Sequence, residues 1–94
     1  MPEGKQRKME DKSMIHEGSI LVPINEEERV VCKYWVQAYK RANKCGINKG
    51  KIYNLTIKVN GETTAEYDRG WVVEPDEKDI ATQFAYCILL YEYN

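Results

Sequence analysis

The sequence predicts an α+β fold: a four-stranded antiparallel meander with one C-terminal helix across one face. Three observations lead there. Short β-branched and aromatic runs are separated by turn residues, as in "RVVCKYWVQAYK" and "KIYNLTIKV". An Asn60-Gly61 pair stands between two of them, and this dipeptide is a strong hairpin signal. The last twenty residues change to helical periodicity.

The elements follow in order. Residues 1–17 are polar, mixed in charge and poor in apolar side chains, so they are expected to form a disordered tail, with one small domain over 18–94. "GSILVPI" (18–24) reads as a first strand, placed near an edge by Pro23. Residues 25–28 form a turn, 29–40 a long second strand, 41–50 a loop with two glycines, and 51–59 a third strand. Residues 62–68 return after the hairpin, and "WVVE" (71–74) continues that strand after a bend.

The hairpin admits two registers. A two-residue loop pairs Val59 with Glu62 and Leu55 with Glu66, which puts acids on the apolar face. A three-residue loop with Gly61 left-handed pairs Lys58 with Glu62. It stacks Leu55 on Ala65, Tyr53 on Tyr67 and Ile57 on Thr63. The second keeps one face apolar and is the expected one, because a one-residue slip moves every side chain to the wrong face.

Residues 75–94 read as the helix. Asp76 is the expected N-cap, with Asp79 three residues on. Ile80, Phe84, Cys87, Ile88 and Tyr91 recur at helical spacing and are expected to cover the sheet. The sheet offers Val30, Cys32, Tyr34, Val36 and Ala38 from the second strand and Tyr53, Leu55 and Ile57 from the third.

The totals narrow function. A chain of 94 residues is one domain at most, and so small a core leaves little room for a deep substrate cavity. The net charge of −1 hides an uneven distribution. Residues 29–58 carry Arg29, Lys33, Lys40, Arg41, Lys44, Lys49, Lys51 and Lys58 with no acid, whereas residues 59–94 are mainly acidic. Cys32, Cys45 and Cys87 are odd in number, widely spaced and lack a CxxC, against a disulfide scaffold or zinc site. The single histidine, His16, denies a histidine-rich metal centre. No metal or cofactor is expected. No apolar signal segment or membrane-length run is visible, so a soluble cytoplasmic setting without membrane contact is the expectation.

"GINKGKIYNLTIKVNGETTAEYDRGWVVEP" (46–75) resembles a family of short, uncharacterised proteins from Firmicutes and their phages. In that family a Gly-Ile, Gly-basic-Ile stretch precedes a strand, a hairpin and a Tyr-Asp-Arg-Gly-Trp block followed by proline. An acidic C-terminal helix closes the pattern. The resemblance spans roughly residues 29–92. It departs at Val72, where the family tends to place an acid. It implies an α+β fold and a phage or mobile-element background, and it assigns no catalytic residue.

Two groups of residues are candidates for function. In the block Tyr67, Asp68, Arg69, Gly70 and Trp71, Tyr67 is expected in the core and Trp71 at the core's end beside the helix. Asp68-Arg69-Gly70 would reverse the chain, with Gly70 free to take positive φ. An adjacent Asp-Arg pair without a nucleophile or histidine is a structural corner before it is chemistry. The outer sheet face is the better candidate. Lys33, Trp35, Gln37 and Tyr39 project there beside Lys58, and Lys40, Arg41, Lys44, Lys49 and Lys51 extend the basic character into the loop. The blander alternative is a solvated face with half-covered aromatics. The leading expectation is a small non-enzymatic protein that binds a host or phage protein, a defence inhibitor being one possibility. The alternative is a single-stranded nucleic-acid-binding module, in which rings stack bases and lysines track phosphates. The oligomeric state has no signature at this level.

Overall fold

A computed structural model describes residues 15–94, so most of the expected N-terminal tail (1–14) lies outside the described residues. One sheet holds five antiparallel strands in sequential order: β1 (Ile15–Pro23), β2 (Arg29–Ala38), β3 (Ile52–Val59), β4 (Glu62–Asp68) and β5 (Trp71–Val73). One helix, α1 (Ile80–Tyr93), packs on one face.

The α+β architecture is as expected, and the strand count is not. Trp71–Val73 does not prolong the fourth strand. It turns back and pairs with it, Tyr67 opposite Trp71 and Glu66 opposite Val73. Residues 15–17 belong to β1, where Ile15, His16 and Glu17 pair with Gln37, Val36 and Trp35.

Neither expected hairpin register is the observed one. Asn60 (φ 54°) and Gly61 (φ 79°) form a two-residue turn that pairs Val59 with Glu62 and Lys58 with Thr63. A bulge then inserts one residue in β4, so Ile57 meets Ala65 and Leu55 meets Tyr67. The bulge resolves the conflict between the turn and the apolar face. The turn keeps its preferred length, and Ala65 and Tyr67 still reach the core.

A second bulge displaces Tyr53. Gln37 pairs with Asn54 but Ala38 with Ile52, which leaves Tyr53 as the extra residue. Ile52 enters the core, and Tyr53 stacks on Tyr39 at 4.1 Å instead of on Tyr67.

The helix differs most from expectation. It begins at Ile80, capped by Asp79, whose carboxylate accepts the Thr82 N–H at 3.1 Å. Asp76 instead accepts the Lys78 N–H in the turn before it. The buried face is Ala81, Thr82, Ala85 and Leu89. Of the expected stripe, Ile80, Phe84, Cys87 and Tyr91 are exposed and Ile88 is half-buried. Alanines at 81 and 85 let the helix approach bulky sheet residues closely, and small-against-large packing decides the contact face.

The core is Val22, Cys32, Val36, Ile47, Ile52, Leu55, Ile57, Ala65, Tyr67, Ala81, Ala85 and Leu89. Ile47 comes from the loop between β2 and β3. That loop folds on itself through Asn43 N–H to the Gly50 carbonyl and Gly46 N–H to the Asn43 carbonyl, both at 2.9 Å. A Cβ on Gly46 would overlap the Gly50 carbonyl oxygen, so close backbone approach requires glycine there.

Candidate functional site

The outer sheet face is built by strand alternation, and cross-strand pairing arranges it in rows. Leu21 lies beside Val31. The next row is Ser19, Lys33, Lys58 and Thr63. The third is Glu17, Trp35, Thr56 and Glu66, and the fourth is Ile15, Gln37, Asn54 and Asp68. Lys33 and Lys58 are therefore direct neighbours of like charge. Neither makes an ion pair among the described residues, and such opposition across strands is unfavourable. The Lys58 Nζ lies 5.8 Å from the centre of the Trp35 ring, in cation–π range.

Two shallow depressions flank this point. One, of about 410 Å³, is lined by Val31, Lys33, Trp35, Lys58, Asn60 and Gly61. The other, of about 260 Å³, includes Glu17, Ser19, Lys33 and Trp35. Trp35 and Lys33 line both.

The expected binding residues separate into two groups. Lys33, Trp35 and Lys58 gather toward the Asn60-Gly61 end of the sheet, with Gln37 next along β2. Tyr39 lies just past β2, and its N–H donates to the Lys51 carbonyl at 2.9 Å. Lys40, Arg41, Lys44, Lys49 and Lys51 are all exposed in the loop beyond it. At about 3.4 Å per residue, seven residues separate Lys33 from Lys40 by roughly 24 Å. Between the groups lie Gln37, Asn54, Glu66 and Asp68. Tyr39 and Tyr53 stack face to face, and burial pushes the Tyr53 phenol up, Tyr39 adding to the effect and Arg69 opposing it.

The Tyr-Asp-Arg-Gly-Trp block is a corner. Tyr67 is buried, and its hydroxyl donates to the Cys45 carbonyl at 3.0 Å, tying the loop to β4. Its ring meets Trp71 edge-on at 5.0 Å, and Trp71 meets Tyr86 of α1 edge-on at 5.6 Å. Trp71 thus joins sheet to helix. The reversal is made differently from expectation: Arg69, not Gly70, takes positive φ (57°). The Arg69 N–H donates to the Tyr53 carbonyl at 2.9 Å, and the Asp68 N–H to the Gly70 carbonyl at 2.8 Å. The Asp68 and Arg69 side chains pair at 3.4 Å and both are exposed.

Among the described residues, no three His, Cys, Asp or Glu side chains converge in a way that could hold a metal ion. Cys32, Cys45 and Cys87 are free thiols, the first buried under the helix and the last exposed on it. No helix among the described residues is long and apolar enough to cross a membrane.

A family described as a domain of unknown function, DUF7678, matches residues 14–94. The chain belongs to that family. The DUF7678 match takes in all five strands, the loop and the helix, so the outer face and the aromatic corner both fall within it. No curated protein and no solved structure matches the chain.

Asn94 escaped sequence reading. Asn94 follows the helix, and its side chain grips the loop: Oδ1 accepts the Ile52 N–H at 2.9 Å, and Nδ2 donates to the Ile47 carbonyl at 3.1 Å. Nothing in an asparagine that follows a helix marks such a role.

Proposed function

We propose that this DUF7678 chain is a non-enzymatic interaction protein that captures a protein partner on the outer sheet face around Trp35. One observation carries the reading: Lys33 and Lys58 oppose each other with no ion pair among the described residues, beside a tryptophan on the face opposite the helix. A partner segment that brings a carboxylate to the lysines relieves their repulsion. An apolar side chain of the same segment finds Trp35, Val31 and the adjoining depression. A host or phage protein is the partner class in keeping with the resemblance of the 46–75 segment.

The rows of the face favour protein over nucleic acid. Glu17 and Glu66 stand on the two sides of Trp35, in the path of a phosphate backbone that would stack a base there. Tyr39 already uses one ring face on Tyr53. The Asp68–Arg69 pair is exposed, and the single histidine, His16, stacks on Tyr93 instead, which supports a non-catalytic reading.

The test is capture from host lysate, identification of the captured protein and rebinding of that protein in pure form. The variants Trp35→Ala and Lys33→Glu/Lys58→Glu are expected to keep the fold and lose the partner. Capture that survives both variants overturns the proposal. Tight binding of a mixed-sequence single strand that weakens steeply with salt overturns it in favour of the nucleic-acid alternative.

A further inference from the structure

The outward face of α1 is the least expected surface of the molecule. Ile80 is 65% exposed, Phe84 47% and Tyr91 91%, and Cys87 is exposed between them. A helix apolar on all sides belongs in an interior, yet this one meets the sheet on one side only. The four residues follow one another at intervals of four, three and four. That is the seam spacing by which one helix packs along another. Gln83 and Ile88 border the same apolar strip.

We propose that this seam is a homodimer interface, in which the α1 helices of two copies pack antiparallel about a twofold axis. The occupant follows from the spacing. Reversing the helix about a point midway between Phe84 and Cys87 places Phe84 against Cys87 of the other copy. The same operation places Ile80 against Tyr91. Each pair sets a large side chain against a smaller one, so the seam is its own complement, as a twofold contact requires. Electrostatics selects the antiparallel sense. A parallel pair would set Asp76, Glu77 and Asp79 of both copies side by side. The antiparallel pair holds those clusters about 20 Å apart, the length of a 14-residue helix.

The area is in keeping with a modest dimer. From the 150–250 Å² that a large aromatic side chain can bury, the seam and its borders remove on the order of 500 Å² per copy. Across the dyad that is about 1,000 Å², at the lower bound for a specific pair. A membrane surface suits the strip less well. Residues 80–93 contain no lysine or arginine, and Glu92 is their only charge. The interface uses the face opposite Trp35, so it stands or falls independently of the partner-binding proposal.

Sedimentation equilibrium of the full chain from micromolar to millimolar concentration tests it. The wild type is expected to pass from monomer to dimer mass, with alkylation of Cys87 by iodoacetamide, read on its own peptide, slowing in step. Tyr91→Lys and Phe84→Lys change exposed positions and are expected to keep the thermal melt and remain monomeric. Cys87→Glu alone is likewise expected to be monomeric. Mixing Phe84→Lys with Cys87→Glu is expected to restore a heterodimer, because position 84 meets position 87 of the other copy. A wild type that stays monomeric at millimolar concentration overturns the proposal. So does a dimer that survives Tyr91→Lys and Phe84→Lys, or a mixture that regains nothing.

Discussion

The Asn94 side chain accepts the Ile52 N–H at 2.9 Å, so the residue after the helix holds the first residue of β3. The other end of the same amide holds the Ile47 carbonyl, and Ile47 is a fully buried core residue contributed by a loop. Asn94→Ala is expected to cost about 1–2 kcal/mol, the worth of two partly buried hydrogen bonds. Hydrogen exchange localises the effect: the Ile52 amide loses protection while β4 amides change only with global stability. Unchanged protection at Ile52 would refute the link.

Thr82 is a fully buried hydroxyl on the sheet-facing side of α1. It lies 2.7 Å from the Asp79 carboxylate and 2.8 Å from the Thr64 hydroxyl, and Thr64 is in the bulged stretch of β4. The bulge therefore serves polar pairing as well as register. Thr82→Val preserves shape and removes both hydroxyl contacts, and is expected to cost about 1–3 kcal/mol in urea unfolding. The double variant Thr64→Val/Thr82→Val is expected to cost less than the sum of the singles, since either single change already removes the hydrogen bond the two hydroxyls share. Strict additivity would show that the two do not interact.

Arg69 sits in the left-handed region, which costs a side-chain-bearing residue roughly 1–2 kcal/mol relative to glycine. Arg69→Gly is therefore expected to raise stability by up to about 1 kcal/mol, after the added flexibility of the unfolded chain is subtracted. A Cβ on Gly70 meets nothing within 4 Å, and its φ is not positive. Gly70→Ala is expected to change stability by less than about 0.5 kcal/mol. Thermal melts of the two variants compare the corner's conformational demand directly, and the opposite order would refute it.

Four groups make stability fall in alkali, the Tyr53 phenol described above among them. Burial raises the Cys32 thiol, with the Asp79 charge adding to it. Burial also raises the Tyr86 and Tyr93 phenols, and a hydrogen bond with Tyr34 adds to the Tyr93 effect. In each case the folded state keeps its proton to higher pH than the unfolded chain. Stability is thus fully present below the unfolded values, 9.0 for the thiol and 10.0 for the phenols, and declines as pH rises through and above them. Urea midpoints at pH 8 and pH 10 are expected to show the loss, and Cys32→Ala to flatten its onset. An unchanged midpoint across that interval would rule the linkage out.

Much of the fold is legible from local signals. The β-branched runs and the Asn-Gly turn act through neighbours within a few residues and lie inside or beside the expected elements, whereas the cap falls at Asp79 and not at the expected Asp76. The alternation of β2 places Lys33, Trp35 and Gln37 on one face and Cys32 and Val36 on the other, because a strand has only two faces. The bulges at Gln37/Ala38 and Ile57/Lys58 are not legible. An extra residue in one strand leaves no mark on that strand's own pattern, and it is settled by what the neighbouring strand and helix need filled.

The helix shows where the division falls. Residue pattern alone places a helix within residues 75–94 and gives it one apolar stripe. Periodicity then selected the stripe with the largest side chains, Ile80, Phe84, Cys87, Ile88 and Tyr91. The tertiary structure chose the other face, because Ala81 and Ala85 permit close approach to a sheet carrying Tyr34, Leu55 and Ile57. Hydrophobicity decides that a surface is to be covered. Shape decides which surface the chain can cover by itself, and in this protein the more hydrophobic one is left facing outward.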